Sequence, residues 1–279
     1  MTDWMAVQAN DFAPPERQPV AELVDELCAM LASPDPQVRD DTAYPILALW
    51  TARGVLDGHL TELGQRMAER LSHEEIQART FATMILAWVV LRDAHTGELA
   101  VECVPGWQAA FTAWWRDEAD LRGFDARLGW LHAVAHGADT VRAFGRSPRL
   151  GTEDLEGLLD LVVDRLFADA GYLFAHGEDD RIAYALASVL TRVELSVAHA
   201  TAWLDRIQVA VEAGEPGPVP VWASNTLRTL ASLYVFADRG VRWYDPDTGD
   251  LGTAMVLPHR EAVQDRIARI LALAWRGLG

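Results

Sequence analysis

His132, His136 and Asp139 recur at i, i+4 and i+7, a spacing that turns all three side chains to one face of a helix about two turns long. Two imidazoles so placed can share a divalent metal, with a carboxylate as third ligand. The stretch is not a metalloprotease His-Glu-x-x-His, because no glutamate lies between the histidines. Without a metal, the same residues make a polar ligand site. They can also be structural, with the histidines hydrogen-bonded to a neighbouring helix and Ala133, Ala135, Gly137 and Ala138 allowing close packing.

A second group is Gly177-Glu-Asp-Asp-Arg181, whose carboxylates suit a helix N-terminus. An N-cap explains them locally. If starts of successive helices line one inner surface, however, Arg39, Asp40, Asp41, Glu178, Asp179 and Arg181 meet the His132 segment. Paired carboxylates beside histidines serve general acid/base work, metal ligation or recognition of a cation. On that reading His132, His136, Glu178 and Asp179 are the catalytic candidates. Trp130, within a turn of His132, could form an aromatic wall that favours cations. The other tryptophans are expected in the core.

Helices must carry these residues, because strand signals are scarce and helical periodicity returns between short Gly/Pro/Asp breaks. Leu23, Leu27, Met30 and Leu31 mark one apolar stripe, Ser33-Pro-Asp-Pro36 ends it, and residues 38–50 begin another, with Pro45 expected to bend it. The layout returns at 60–71 with 76–91, 107–116 with 129–145, 152–167 with 179–193, and 200–213 with 221–237. Ser72 and Thr152 read as N-caps. Arg39, Arg79, Arg181 and Arg228 recur near the starts of second helices.

Five helix pairs of roughly 40 to 50 residues make an all-α, right-handed α-α superhelix, a HEAT-like solenoid. The expected organisation is one helical-repeat domain over 1–279: an arm at 1–19, pairs over 20–237, a loop or small hairpin at 238–258 and a capping helix at 259–279. The sequence Asp245-Pro-Asp-Thr-Gly-Asp250 reads as a turn, since it lacks the sixth-position Gly and closing Glu of a calcium loop.

Composition narrows the function classes. The formal charge of -17 disfavours nucleic acid, and none of the 24 basic residues is lysine, which removes Schiff-base and phosphate-loop lysines. The longest apolar run, 81–91, is too short to span a membrane. No signal-peptide pattern opens the chain, so a cytoplasmic location is expected. Cys28 and Cys103 form no redox or disulfide pattern.

Four segments carry a family resemblance: Arg39-Asp-Asp-Thr-Ala-Tyr-Pro45, Asp120-Leu-Arg-Gly123, Gly129-Trp-Leu-His-Ala-Val-Ala-His-Gly-Ala-Asp139 and Gly177-Glu-Asp-Asp-Arg181. Together, over about residues 20–195, they resemble a bacterial family of unknown function. The resemblance implies an all-helical, HEAT-like fold and marks residues without assigning an activity. Members often have Pro-Gly-Lys where this chain has Ala126-Arg-Leu128.

The leading expectation is a binding protein whose acidic concave face, with Arg39, Asp40, Asp41, Trp130, His132, His136, Asp139, Glu178, Asp179 and Arg181, takes a protein segment or small cationic ligand. An enzyme centred on His132 and His136 is the alternative, and a structural homodimer the third reading. No cofactor is expected beyond a divalent metal at His132, His136 and Asp139.

Overall fold

The computed structural model describes residues 2–168, 171–215, 217–243 and 250–274. Its helices are α1 (Trp4–Ala9), α2 (Val20–Met30), α3 (Pro36–Val38), α4 (Tyr44–Ala52), α5 (Leu60–Arg70), α6 (Ile76–Thr96), α7 (Cys103–Asp117), α8 (Ala133–Arg146), α9 (Thr152–Phe167), α10 (Glu178–Val189), α11 (Val197–Glu212), α12 (Val221–Arg239) and α13 (Arg260–Ala274). A single two-stranded antiparallel hairpin among the described residues joins β1 (Phe124–Asp125) to β2 (Gly129–Trp130). The protein is therefore predominantly α-helical.

The helices lie in two rows. One row runs α4, α6, α8, α10, α12, each packed on the next, and the other runs α5, α7, α9, α11. Residue patterning explains which helix joins which row. On α5, Leu60, Leu63 and Met67 are buried, while Glu62 and Glu69 face solvent, the stripe of a helix with one covered side. On α6, by contrast, Phe81, Ile85, Leu86, Val89 and Val90 are all buried because α4, α5 and α8 pack around it. The apolar run at 81–91 is thus a core helix, and no described helix is long and apolar enough to cross a membrane.

Two features tie sequence to packing at the site. A π-turn over Arg39–Ala43, in which the Tyr44 N–H donates to the Arg39 carbonyl, leads directly into α4. Pro45 supplies the reason, since its ring and missing N–H are incompatible with an undisturbed helical register one turn back. On α8, a Cβ at Gly137 would lie 2.0 Å from the Trp115 Nε1 atom, so only glycine lets α7 and α8 approach here. The Trp115 indole donates to the Ala133 carbonyl at 3.1 Å and fixes the first turn of α8.

The arginines near the starts of second helices share a task in two cases. Arg39 donates to the Ser33 carbonyl and Arg79 to the His73 carbonyl, each six residues back, at 3.0 and 2.7 Å. Each also reaches across to a later loop, Arg39 to the Leu128 carbonyl and Arg79 to Glu118. Bending the chain over an arginine that satisfies loop carbonyls is a local rule that the sequence repeats.

The two expected N-caps are corrected. Ser72 donates to the Glu69 carbonyl at the end of α5 and does not cap α6, which begins after Glu75. Thr152 is the first residue of α9, and the Asp154 carboxylate accepts from the Gly151 N–H in place of a threonine cap. The arm at 1–19 contains α1, held by Trp4, whose indole donates to Glu26. Within 238–258, Val241 and Met255 form an antiparallel bridge. The proposed turn and most of the Asp245–Asp250 stretch lie outside the described residues, as does the end of the capping helix with Arg276.

Candidate functional site

Helix α8 starts at Ala133, four residues later than periodicity suggests, because Gly129 and Trp130 pair with Asp125 and Phe124 in the hairpin. The hairpin is set by Asp125, whose carboxylate accepts from the Arg127 and Leu128 N–H groups at 2.9 Å each. The Leu131 and His132 N–H groups then donate to the Gly123 carbonyl. His132 consequently caps the helix from outside it, in a left-handed conformation with φ 47° and ψ 37°. For a residue other than glycine this backbone is uncommon and strained, a feature that clusters at functional sites. The three-residue helical face expected for His132, His136 and Asp139 is therefore not formed as such.

The tertiary fold nevertheless gathers the aromatic rings. Trp130 stacks on His132 with centroids 4.4 Å apart and planes within 5°. His136 lies 5.5 Å from His132, and Phe81 meets His136 edge-on at 5.4 Å. His176 closes the other side, edge-on to Trp130 at 5.5 Å and to His132 at 6.2 Å. Trp130 is 44% exposed and its neighbour Phe124 is 49% exposed, whereas His136 is 4% exposed. An aromatic surface thus overlies a buried imidazole.

Both histidines are held neutral. Burial, then the nearby Arg181 guanidinium, lowers His132 from 6.5 to about 4. Burial, Arg181 and His132 together push His136 well below the usual histidine range. His136 hydrogen-bonds the Thr80 backbone. Among the described residues its Nδ1 has no partner, and neither does His132 Nδ1. A carbonyl partner for His136 must be reached through Nε2–H, which leaves Nδ1 as a bare buried acceptor.

The carboxylates expected to converge here are occupied. Asp139 binds Arg181 at 2.5 Å. Glu178, 0% exposed, accepts from the Tyr172 hydroxyl at 3.0 Å and from the His176 N–H at 2.8 Å. Asp179 points away, to Arg228 on α12 at 3.1 Å. Asp40 lies 2.6 Å from Arg39 Nε as an ion pair, although neither atom has an aligned hydrogen bond; burial holds the Asp40 carboxyl above its usual range. Arg39 itself is fully buried, with its guanidinium over Phe81 at 4.6 Å. Asp41 is exposed and offers its backbone carbonyl to Gln8. Among the described residues, no three His, Cys, Asp or Glu side chains are grouped as a metal would require.

The structure adds residues that sequence reasoning missed. The Gly123 N–H donates to the Tyr172 hydroxyl at 2.9 Å, and a Cβ at Gly123 would lie 2.3 Å from His176 Cδ2 and 2.9 Å from Glu178 Oε1. Burial, with Glu178 beside it, pushes the Tyr172 phenol up to about 12. The loop carrying Tyr172 and His176 is pinned to α12, where Asn225 accepts from the Phe174 N–H and donates to the Tyr172 carbonyl. His176 adjoins the Gly177 segment and Gly123 ends the Asp-Leu-Arg-Gly segment, so both had a signal; Tyr172 had none.

No curated protein and no solved structure matches the chain. A family model described as "Protein of unknown function (DUF2785)" matches residues 65–235, which include the hairpin, the three histidines, Tyr172 and Glu178 but not Arg39 to Pro45. With more than half of its length matched, the chain belongs to the DUF2785 family of proteins of unknown function.

Proposed function

We propose that this chain is a binding protein, a right-handed HEAT-like stack of helix pairs that uses the surface around Trp130 to hold a hydrogen-bond-donating group. That group belongs to a protein segment or a small polar molecule. The single observation carrying the reading is the pair of neutral histidines with unpartnered Nδ1 atoms beneath the exposed Trp130 and Phe124 rings. A buried acceptor without a donor is costly, on the order of 1–3 kcal/mol, and a ligand donor would recover that energy. The indole and phenyl rings would cover the apolar part of the same ligand.

The acid/base enzyme is the weaker reading on electrostatic grounds. A general base works best with a pKa near the operating pH, whereas His132 is lowered to about 4. A purely cationic ligand loses support as well, since Asp139, Glu178, Asp179 and Asp40 already have partners.

The test is native mass spectrometry of the untagged protein after incubation with a small-molecule extract and, separately, a peptide pool. Adducts on the wild type that disappear in Trp130→Ala support the reading. No adduct, or equal adducts on both proteins, refutes it. Elemental analysis of the same samples has its own decisive outcome, because a stoichiometric divalent metal lost from His132→Ala and His136→Ala would replace binding with metal-assisted chemistry.

A further inference from the structure

Farther along α8, Arg142 and Arg146 stand one turn apart and half buried. Other sheltered arginines in this protein bind protein oxygens, although the Nε atoms of Arg39 and Arg165 are themselves buried without a hydrogen-bond partner. Arg149 binds Asp93 and the Leu99 carbonyl, Arg165 binds the Trp115 and Glu118 carbonyls, and Arg192 binds three carbonyls and Glu194. Arg142 and Arg146 differ in that, among the described residues, neither meets a carboxylate or a carbonyl; Arg142 Nε, like Arg165 Nε, is buried without a hydrogen-bond partner. In a chain with 41 acidic and 24 basic side chains, a carboxylate partner would have been easy to place.

What they meet is aromatic. The Arg142 guanidinium lies over the Tyr184 ring at 5.8 Å, and that of Arg146 over Trp243 at 4.1 Å. The two rings pack edge to face, 6.3 Å apart. Tyr184 is anchored through its hydroxyl to the Arg242 carbonyl, and the Trp243 segment by the bridge between Val241 and Met255. Contacts of this kind hold a guanidinium by its charge and face and consume none of its N–H donors. The nearest acid on the helix, Asp139, is spent on Arg181. Burial and the neighbouring Arg142 charge lower Arg146 to about 10, which leaves it cationic at neutral pH.

We propose that Arg142 and Arg146, floored by Tyr184 and Trp243, form an oxyanion subsite that takes the carboxylate or phosphate group of a small molecule. Two planar forks with free N–H edges match the oxygen geometry of either group. Two half-buried cations without an acidic partner among the described residues are unfavourable until an anion arrives, the usual sign of a position kept for binding rather than for stability. The subsite stands apart from the histidine cluster, since six residues of helix place Arg142 about 9 Å from His136 along the axis.

The test is isothermal titration of the full chain with inorganic phosphate and, in a separate arm, acetate, at constant ionic strength held with chloride. The expected result is saturable binding of at least one anion to the wild type, weakened at least about tenfold in Arg142→Gln/Arg146→Met. The stronger arm identifies the group. Arg146→Lys keeps the charge but not the fork and should also weaken binding, whereas Arg260→Gln/Arg269→Gln, exposed on α13, should bind as the wild type does. Far-UV circular dichroism checks that each variant is folded; should the double variant unfold, Arg146→Lys against the α13 control decides. No heat beyond chloride in either arm, or the same affinity in all variants, overturns the proposal.

Discussion

At neutral pH, His132 is uncharged in the folded protein and nearly uncharged in the unfolded chain, so the two states bind the same number of protons. As the pH falls through 6.5 the unfolded chain takes up a proton that the folded protein refuses until about pH 4. Stability therefore decreases with falling pH across that window, the direction set by a histidine whose folded pKa is depressed. The full difference of about 2.5 units corresponds to about 3 kcal/mol, of which about 2 kcal/mol is lost by about pH 5. His132→Asn removes the titration while keeping a residue that tolerates the left-handed backbone. Buried His136 moves in the same direction but is present in both proteins, and the lowered carboxylates Glu26, Asp57, Asp120 and Glu194 likewise cancel in the comparison. Urea unfolding of both proteins at about pH 7.5 and about pH 5 measures the effect, with wild type minus variant expected to fall by about 2 kcal/mol. A change of less than about 0.5 kcal/mol would show that His132 is not desolvated as the structure has it.

Two further outcomes follow from the packing. Gly137→Ala drives a methyl into Trp115 and should destabilise by about 1–3 kcal/mol in urea titrations, with loss of near-UV dichroism from the indole. Tyr172→Phe deprives buried Glu178 of a donor and Gly123 of an acceptor, and should cost about 1–3 kcal/mol. It should also speed amide exchange at Gly123, which a purely apolar role for the ring would leave unchanged.

The helical content was legible because apolar periodicity is a local property: 60–71 and 76–91 announce α5 and α6 through residues on the same short stretch. The exposed Trp130 was also legible from its place beside two histidines. The interruption at 129–132 was not, since helical spacing around His132 and His136 hid a glycine at φ 75° and a hairpin pairing. Sequence spacing ranks neighbours along one element; it cannot choose among partners on different elements.

By itself, then, the sequence determined the helices, the disturbed helical register before Pro45 and the chemical types available near residues 130–139. Only the tertiary structure decided that Asp139 would be neutralised by Arg181, that Asp179 would turn to Arg228, and that His176 and Tyr172 would join the histidines. It likewise placed Arg142 and Arg146 on aromatic rings, with no acid beside them among the described residues. The reason is range: periodicity sets which side of a helix is buried, whereas the pairing of charges and the loss of water around an imidazole depend on contacts some 40 residues apart, such as Asp139 with Arg181.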